Sequence, residues 1–297
     1  PDKNFVYAVN ESGTESKIAS FRFDATSGKL SFINRVEAIG SDPCFITTSK
    51  RHIITANYSS GNACVFKRNS DGSIGETVQK IQFNGHSIDS MRQTSSHVHQ
   101  TIFSPNGHFL LINDLGTDLI HSFRYVPNRS ENCLLPYDSL KVKPGSGPRH
   151  LTFSKDGKFV YLLHELDGTI SIIGFNKGKL LFYGENSVVT NKKLKTGAAD
   201  IHISPDGKFL YATNRGEANN ITCFKILKNG LLEFVEQNST QGKGPRNFAI
   251  TKDGHFLLVG HQYSDEIVVF KRDRENGKLM DTKIRIKIGA PVCLLEY

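Results

Sequence analysis

One segment of about a dozen residues recurs along this chain at nearly constant spacing. It reads FSPNGHFLLIND at 103–114, FSKDGKFVYLLH at 153–164, ISPDGKFLYATN at 203–214 and ITKDGHFLLVGH at 250–261. The turn glycines Gly107, Gly157, Gly207 and Gly254 stand 50, 50 and 47 residues apart. Two weaker copies precede them, PDKNFVYAVN at 1–10 and TSKRHIITAN at 48–57, so six copies account for nearly all of the 297 residues. Each copy reads as a hairpin: an apolar run, Asn-Gly or Asp-Gly, then a second run beginning with Phe. Asx-Gly between such runs is a strong hairpin signal, because both residues accept positive φ. A third strand follows, as in ACVFKR (63–68), LIHSFRY (119–125), TISIIGF (169–175), NITCFKI (220–226) and EIVVFKR (266–272). A fourth comes after a glycine turn, as in NGLLEFVEQ at 229–237.

Four strands in a repeat of about fifty residues specify an all-β propeller, a single domain over 1–297, with few helices. Trp is absent, which excludes WD repeats. The stretches 84–98 and 126–147 break the period and read as insertions on one face. The last residues, APVCLLEY at 290–297, match the first strand of a blade, whereas Pro1 begins just before a second strand. The termini would either close a six-bladed ring together or lack roughly one N-terminal blade. The chain opens without an initiator Met or a signal-like apolar stretch, so a processed or absent leading segment is expected.

Composition narrows the function. Lys+Arg exceed Asp+Glu by 37 − 29 = 8, which favours an anionic partner. The positive charges are dispersed, so nucleic acid is not expected, and no apolar run is long enough to span a membrane as a helix. Five cysteines without a C-x-x-C pair argue against a disulfide framework or a zinc–thiolate site and suggest a reducing, cytoplasmic location. No nucleophile elbow, P-loop or dithiol motif is present.

In an antiparallel hairpin the start of the first strand and the end of the second share one edge of the sheet. Eight residues before each turn glycine stand His99, Arg149, Ala199 and Arg246, followed by Gln100, His150, Asp200 and Asn247. The second strands end at Asn10, Asn57, Asp114, His164, Asn214 and His261, followed by Glu11, Tyr58, Leu115, Glu165, Arg215 and Gln262. Asn and Asp at such positions cap loops. Histidines there tie neighbouring blades together. The arginines suit carboxylate or phosphate recognition through the planar guanidinium fork. His97 and His99, two apart on a strand, have metal-compatible spacing, but no third ligand accompanies them.

The segments GSGPRHLTFSKDGKFVYLLHE (145–165), AADIHISPDGKFLYATNRG (198–216) and GPRNFAITKDGHFLLVGHQYSDEIVVFKRD (244–273) resemble the lactonase family of seven-bladed propellers. That family includes propeller-type 6-phosphogluconolactonases and a carboxymuconate-lactonising enzyme. The resemblance runs along essentially the whole chain and implies that about one N-terminal blade is missing from it. It implies catalytic roles for His99, Arg149, Glu165 and Arg215. Ser96 stands where the family has a proline before the first histidine, and His164 where it has an asparagine before the glutamate. The implied reaction is hydrolysis of a small anionic sugar lactone, 6-phosphogluconolactone foremost, by a protein whose oligomeric state is open and compatible with a monomer. His97, His150, Asp200, Asn214, Arg246 and Asn57 would contact substrate, with His99 or Glu165 as general base and without metal or cofactor. A non-catalytic binding platform and a lactone-forming cyclase are the alternatives.

Overall fold

The same turn opens every hairpin of the four strong repeats in the computed structural model, which describes residues 3–191 and 193–296. Gly107, Gly157, Gly207 and Gly254 have φ of +71°, +70°, +77° and +73°. Only the glycine uses the left-handed region; Asn106, Asp156, Asp206 and Asp253 do not. Their side chains act instead. Each accepts the hydroxyl of the residue two before it, Ser104 (2.8 Å), Ser154 (2.7 Å), Ser204 (2.5 Å) and Thr251 (2.5 Å). Each also accepts the backbone N–H two residues on, at 2.9–3.1 Å. The turn is therefore Ser/Thr-x-Asx-Gly, with the Asx as a hydrogen-bonding hub rather than a second residue of positive φ.

Six antiparallel sheets succeed one another along the described residues. The first has three strands, β1 (Phe5–Asn10), β2 (Lys17–Asp24) and β3 (Lys29–Glu37); the other five have four. The second holds β4 (Pro43–Thr48), β5 (His52–Asn57), β6 (Asn62–Arg68) and β7 (Ile74–Gln82). The third holds β8 (Val98–Phe103), β9 (Phe109–Asp114), β10 (Leu119–Tyr125) and β11 (Leu134–Lys141). The stretch 126–147, expected as an insertion, thus contains a regular fourth strand, whereas 84–97 does lie between strands. The fourth holds β12 (Pro148–Phe153), β13 (Phe159–His164), β14 (Thr169–Asn176) and β15 (Lys179–Ser187). The fifth holds β16 (Ala198–Ile203), β17 (Phe209–Asn214), β18 (Asn220–Ile226) and β19 (Leu232–Ser239). The sixth holds β20 (Pro245–Ile250), β21 (Phe256–His261), β22 (Glu266–Arg272) and β23 (Leu279–Lys287). A three-residue 3₁₀ turn at Gly13–Glu15 is the sole helical element among the described residues, and none there is long and apolar enough to cross a membrane.

The chain forms two compact units, Pro1–Pro148 with Lys177–Leu180, and Arg149–Asn176 with Leu181–Tyr297. Within each, the Phe-x-Tyr opening of a second strand explains how one sheet grips the next. In the second unit Tyr161 and Tyr211 donate to the carbonyls of Gly230 (3.0 Å) and Gly277 (2.6 Å), in the turns before β19 and β23. In the first, Tyr7 does the same to Gly72 at 2.9 Å. The phenyl ring two residues earlier covers the same glycine: a Cβ on Gly277 would sit 2.4 Å from the Phe209 ring, and one on Gly230 2.5 Å from Phe159. Positive φ and a covering ring both demand glycine there. Arg272, wholly buried, closes the last of these contacts by donating to the Tyr211 hydroxyl (2.8 Å) and the Gly254 carbonyl (3.0 Å) and pairing with Asp206 (3.2 Å). Apolar second and third strands fill the cores, with Ile54, Val65, Leu110 and Ile112 in the first unit and Tyr161, Leu163, Ile172 and Leu210 in the second.

Candidate active site

In the second unit, three chain segments bring a carboxylate and two guanidinium groups together. Glu165 follows β13, Arg149 lies on β12, and Arg215 follows β17. Arg149 Nε donates to Glu165 Oε2 at 2.9 Å, and Arg215 Nη2 lies 3.1 Å from the same oxygen. Arg215 also donates through Nε to the Gly197 carbonyl at 2.9 Å. Arg149 donates through Nη1 to the Ala199 carbonyl. Arg246, on β20, adds a third positive charge that acts on both other arginines. Burial lowers the Arg149 guanidinium to about 10, the charge of Arg215 adds to the effect, and Glu165 opposes it. Burial likewise lowers Arg215, again against Glu165. Two guanidinium groups on one carboxylate, with the charge of Arg246 acting on both, leave the cluster positive, which suits an anionic ligand.

Depth separates these arginines. Arg149 is 2% exposed. The side chain of Arg215 is 13% exposed, and Arg246 is half-buried. Removing Arg149 would therefore break a buried ion pair.

A second network lies beside the first. Asp200, on β16, is 2% exposed. Its Oδ1 accepts His150 Nδ1 (2.9 Å) and the backbone N–H of Ile201 (3.0 Å). Its Oδ2 accepts His202 Nε2 (2.9 Å), Asn247 Nδ2 (2.5 Å) and the backbone N–H of Phe248 (3.2 Å). Burial alone would raise its pKa, but the two histidines hold the carboxyl well below its usual range. Burial, then the neighbouring Arg149 charge, pushes His150 down to about 4. Burial opposes protonation of His202, yet the Asp200 charge prevails and raises it. His202 was missed in the sequence, although its i, i+2 spacing from Asp200 places both on one strand face, the same signal that singled out His97 and His99.

These shifts have a consequence for stability. The folded pKa of His150, about 4, lies below its ordinary 6.5, so folding favours the neutral ring. Between those values the unfolded chain binds a proton that the folded chain does not. Stability should therefore fall on acidification from about pH 6.5 to 4, by up to ~1.4 kcal/mol per pH unit. The raised His202 acts in the opposite window: its contribution is complete below pH 6.5 and is lost as pH rises through its folded pKa. Urea unfolding of wild type and His150→Gln at pH 7 and pH 5 checks this; the variant should lose most of the acid sensitivity.

The first unit holds the remaining candidates. His97 Nδ1 is 3.0 Å from the Tyr58 carbonyl oxygen, and its ring stacks on Tyr58 at 4.4 Å and 13°. His99 meets the same tyrosine edge-on at 5.7 Å and is 5% exposed. Asp114 fixes this end of β8 by accepting the Ser96 hydroxyl (2.6 Å) and the backbone N–H groups of His97 (2.7 Å) and Gly116 (3.0 Å). Ser96 thus fills the proline position of the resemblance with a hydrogen bond to the loop cap. Asn57, fully buried, donates to Asn62 at 2.6 Å. In the second unit Asn214 accepts the Gly197 N–H at 3.0 Å and is 1% exposed, and His164 meets the Ser171 hydroxyl at 2.8 Å. Asn57 and Asn214 occupy loop-holding positions. Among the described residues no three His, Cys, Asp or Glu side chains are grouped to hold a metal ion. All five cysteines are free.

The chain is similar to known proteins along its length. A family model described as lactonase, 7-bladed beta-propeller, matches residues 1–296. A 6-phosphogluconolactonase of Formosa agariphila is 40% identical over 286 residues, covering 94% of this chain and 81% of that protein. One of Bacillus subtilis is 28% identical over 299 residues, covering 99% and 84%. The solved structure of the periplasmic gluconolactonase PpgL from Pseudomonas aeruginosa superposes with a TM-score of 0.93 at 36% identity, over 98% of this chain and 84% of that one. The family description counts seven blades; the described residues here form six sheets. With its four-stranded blades and this match along its length, the chain belongs to the lactonase family of seven-bladed β-propellers.

Proposed function

We propose that this protein hydrolyses a sugar lactone, with 6-phosphogluconolactone opened to 6-phosphogluconate as the foremost reaction. The observation that carries the reading is the pair of arginines on Glu165, with the charge of Arg246 acting on both, supported by relatives named 6-phosphogluconolactonase. Water adds to the lactone carbonyl carbon and places negative charge on its oxygen. Arg215 and Arg246, the more accessible cations, stabilise that charge or hold the substrate's phosphate. Arg149 acts from behind by holding Glu165. The ring C–O bond then breaks, and the departing alkoxide takes back the proton that the base accepted from water, to give the hydroxy acid.

Glu165 is assigned as the base that accepts the water proton, because it stands within the same cluster as the arginines. Glu165→Gln keeps the shape and removes the base, and should cost on the order of 10²–10⁴ in kcat. If Glu165→Gln retains turnover and His99→Gln loses it, the base is His99. The free cysteines favour a reducing compartment, in keeping with a cytoplasmic enzyme.

A further inference from the structure

We propose that Asp200 is a positioning residue that fixes the proton arrangement of His150 and, through it, aims the Arg149 guanidinium at Glu165. The inference rests on the lactonase reading for its kinetic consequence, but not for its structural one. A carboxylate can only accept hydrogen bonds. With His150 Nδ1 at 2.9 Å from Asp200 Oδ1, that nitrogen carries the proton. In the neutral ring the Nε2 atom then presents a lone pair, and Arg149 Nη1, a donor, lies 3.4 Å away. Arg149 Nη1 also donates to the carbonyl of Ala199, the residue just before Asp200. On β16, Ala199 therefore orients the guanidinium directly, and its neighbour Asp200 does so through His150 on β12. Its Nε is left directed at Glu165 Oε2 at 2.9 Å.

Asp200 is built to stay in place. It takes five donors, one each from His150, Ile201, His202, Asn247 and Phe248, on its two oxygens. Asn247 is itself held by the backbone N–H of Leu294, which its Oδ1 accepts at 2.6 Å. At 2% exposure the carboxylate has no access of its own to a ligand, so its effect on a reaction must pass through the groups it holds. This places Asp200 behind the site rather than among the substrate contacts expected from its strand position.

Asp200→Asn disrupts the arrangement in a defined way. If its carbonyl oxygen keeps the three donors now on Oδ2, its amide N–H₂ faces His150. His150 must then accept at Nδ1 and carry its proton on Nε2, where it meets Arg149 donor to donor. The guanidinium is displaced, and kcat should fall about 10–100-fold with KM little changed, as small misplacements of reacting groups do. His150→Gln offers the opposite case: a side-chain amide can donate to Asp200 and accept from Arg149, so it should be more active than His150→Leu, which should match Asp200→Asn. Histidine-labelled ¹⁵N spectra read the tautomer directly and need no turnover. Wild type should show His150 neutral with the proton on Nδ1, and Asp200→Asn should move it to Nε2. A wild-type ring protonated on Nε2 overturns the proposal, whether or not any lactone is hydrolysed. So does an Asp200→Asn enzyme whose KM rises at unchanged kcat, which marks a direct substrate contact. Should Asp200→Asn not fold, the wild-type spectrum and the His150 pair decide the matter.

Discussion

Arg215→Ala should lower kcat/KM for the lactone on the order of 10²–10³-fold while the protein stays folded. The guanidinium is partly accessible, anchored by its Nε on the Gly197 carbonyl and by Nη2 beside Glu165. That leaves it oriented but not enclosed, as a group that meets developing charge must be. Glu165 keeps Arg149 as a partner in the variant, so the stability cost should be roughly 1–3 kcal/mol, that of a hydrogen bond to a charged group. Arg124→Ala serves as the control. Arg124 is exposed on β10 in the other unit, and its removal should leave turnover near wild type. Equal loss of activity in the two variants would separate the effect from the cluster and count against it.

Arg149→Ala should show the reverse balance, with stability falling by about 3–5 kcal/mol as a buried ion pair is broken from one side. Two further partners are lost with it, the Ala199 carbonyl and His150 Nε2. Activity would fall too, because Glu165 loses one of its two arginines. Arg149→Met, which restores volume without charge, should recover part of the stability and none of the activity. Urea denaturation with the activity of the folded fraction measures both. An Arg149→Ala protein as stable as wild type would show that the side chain is not sealed as the fold describes.

The contrast between these two arginines marks how far the residues alone could be read. The repeat, the strand order and the Asx-Gly turns were legible because each imposes a local pattern: positive φ at Gly107, Gly157, Gly207 and Gly254, and alternation in the runs beside them. Counting back from those glycines correctly placed Arg149 and Arg246 at equivalent strand starts. It could not tell that one is sealed and the other half-open, because depth depends on neighbouring loops rather than on strand register. For the same reason it could not tell that Asp200 is sealed. Its partners His150, His202, Asn247 and Phe248 come from three strands about fifty residues apart, and no local pattern shows that their donors converge. Asn57 and Asn214 illustrate the opposite case. The loop-capping habit of Asn accounts for both positions, and the structure places both side chains on loop partners.

We propose lactone hydrolysis by the arginine–glutamate cluster of the second unit. Its most direct measurement is hydrolysis of a panel of phosphorylated and unphosphorylated sugar lactones by the purified protein, with spontaneous opening subtracted and Arg215→Ala run in parallel. Enzymatic opening should be fastest with the phosphorylated lactone and lost in the variant. No turnover of any lactone above the spontaneous rate would contradict it and leave a propeller that binds without catalysing.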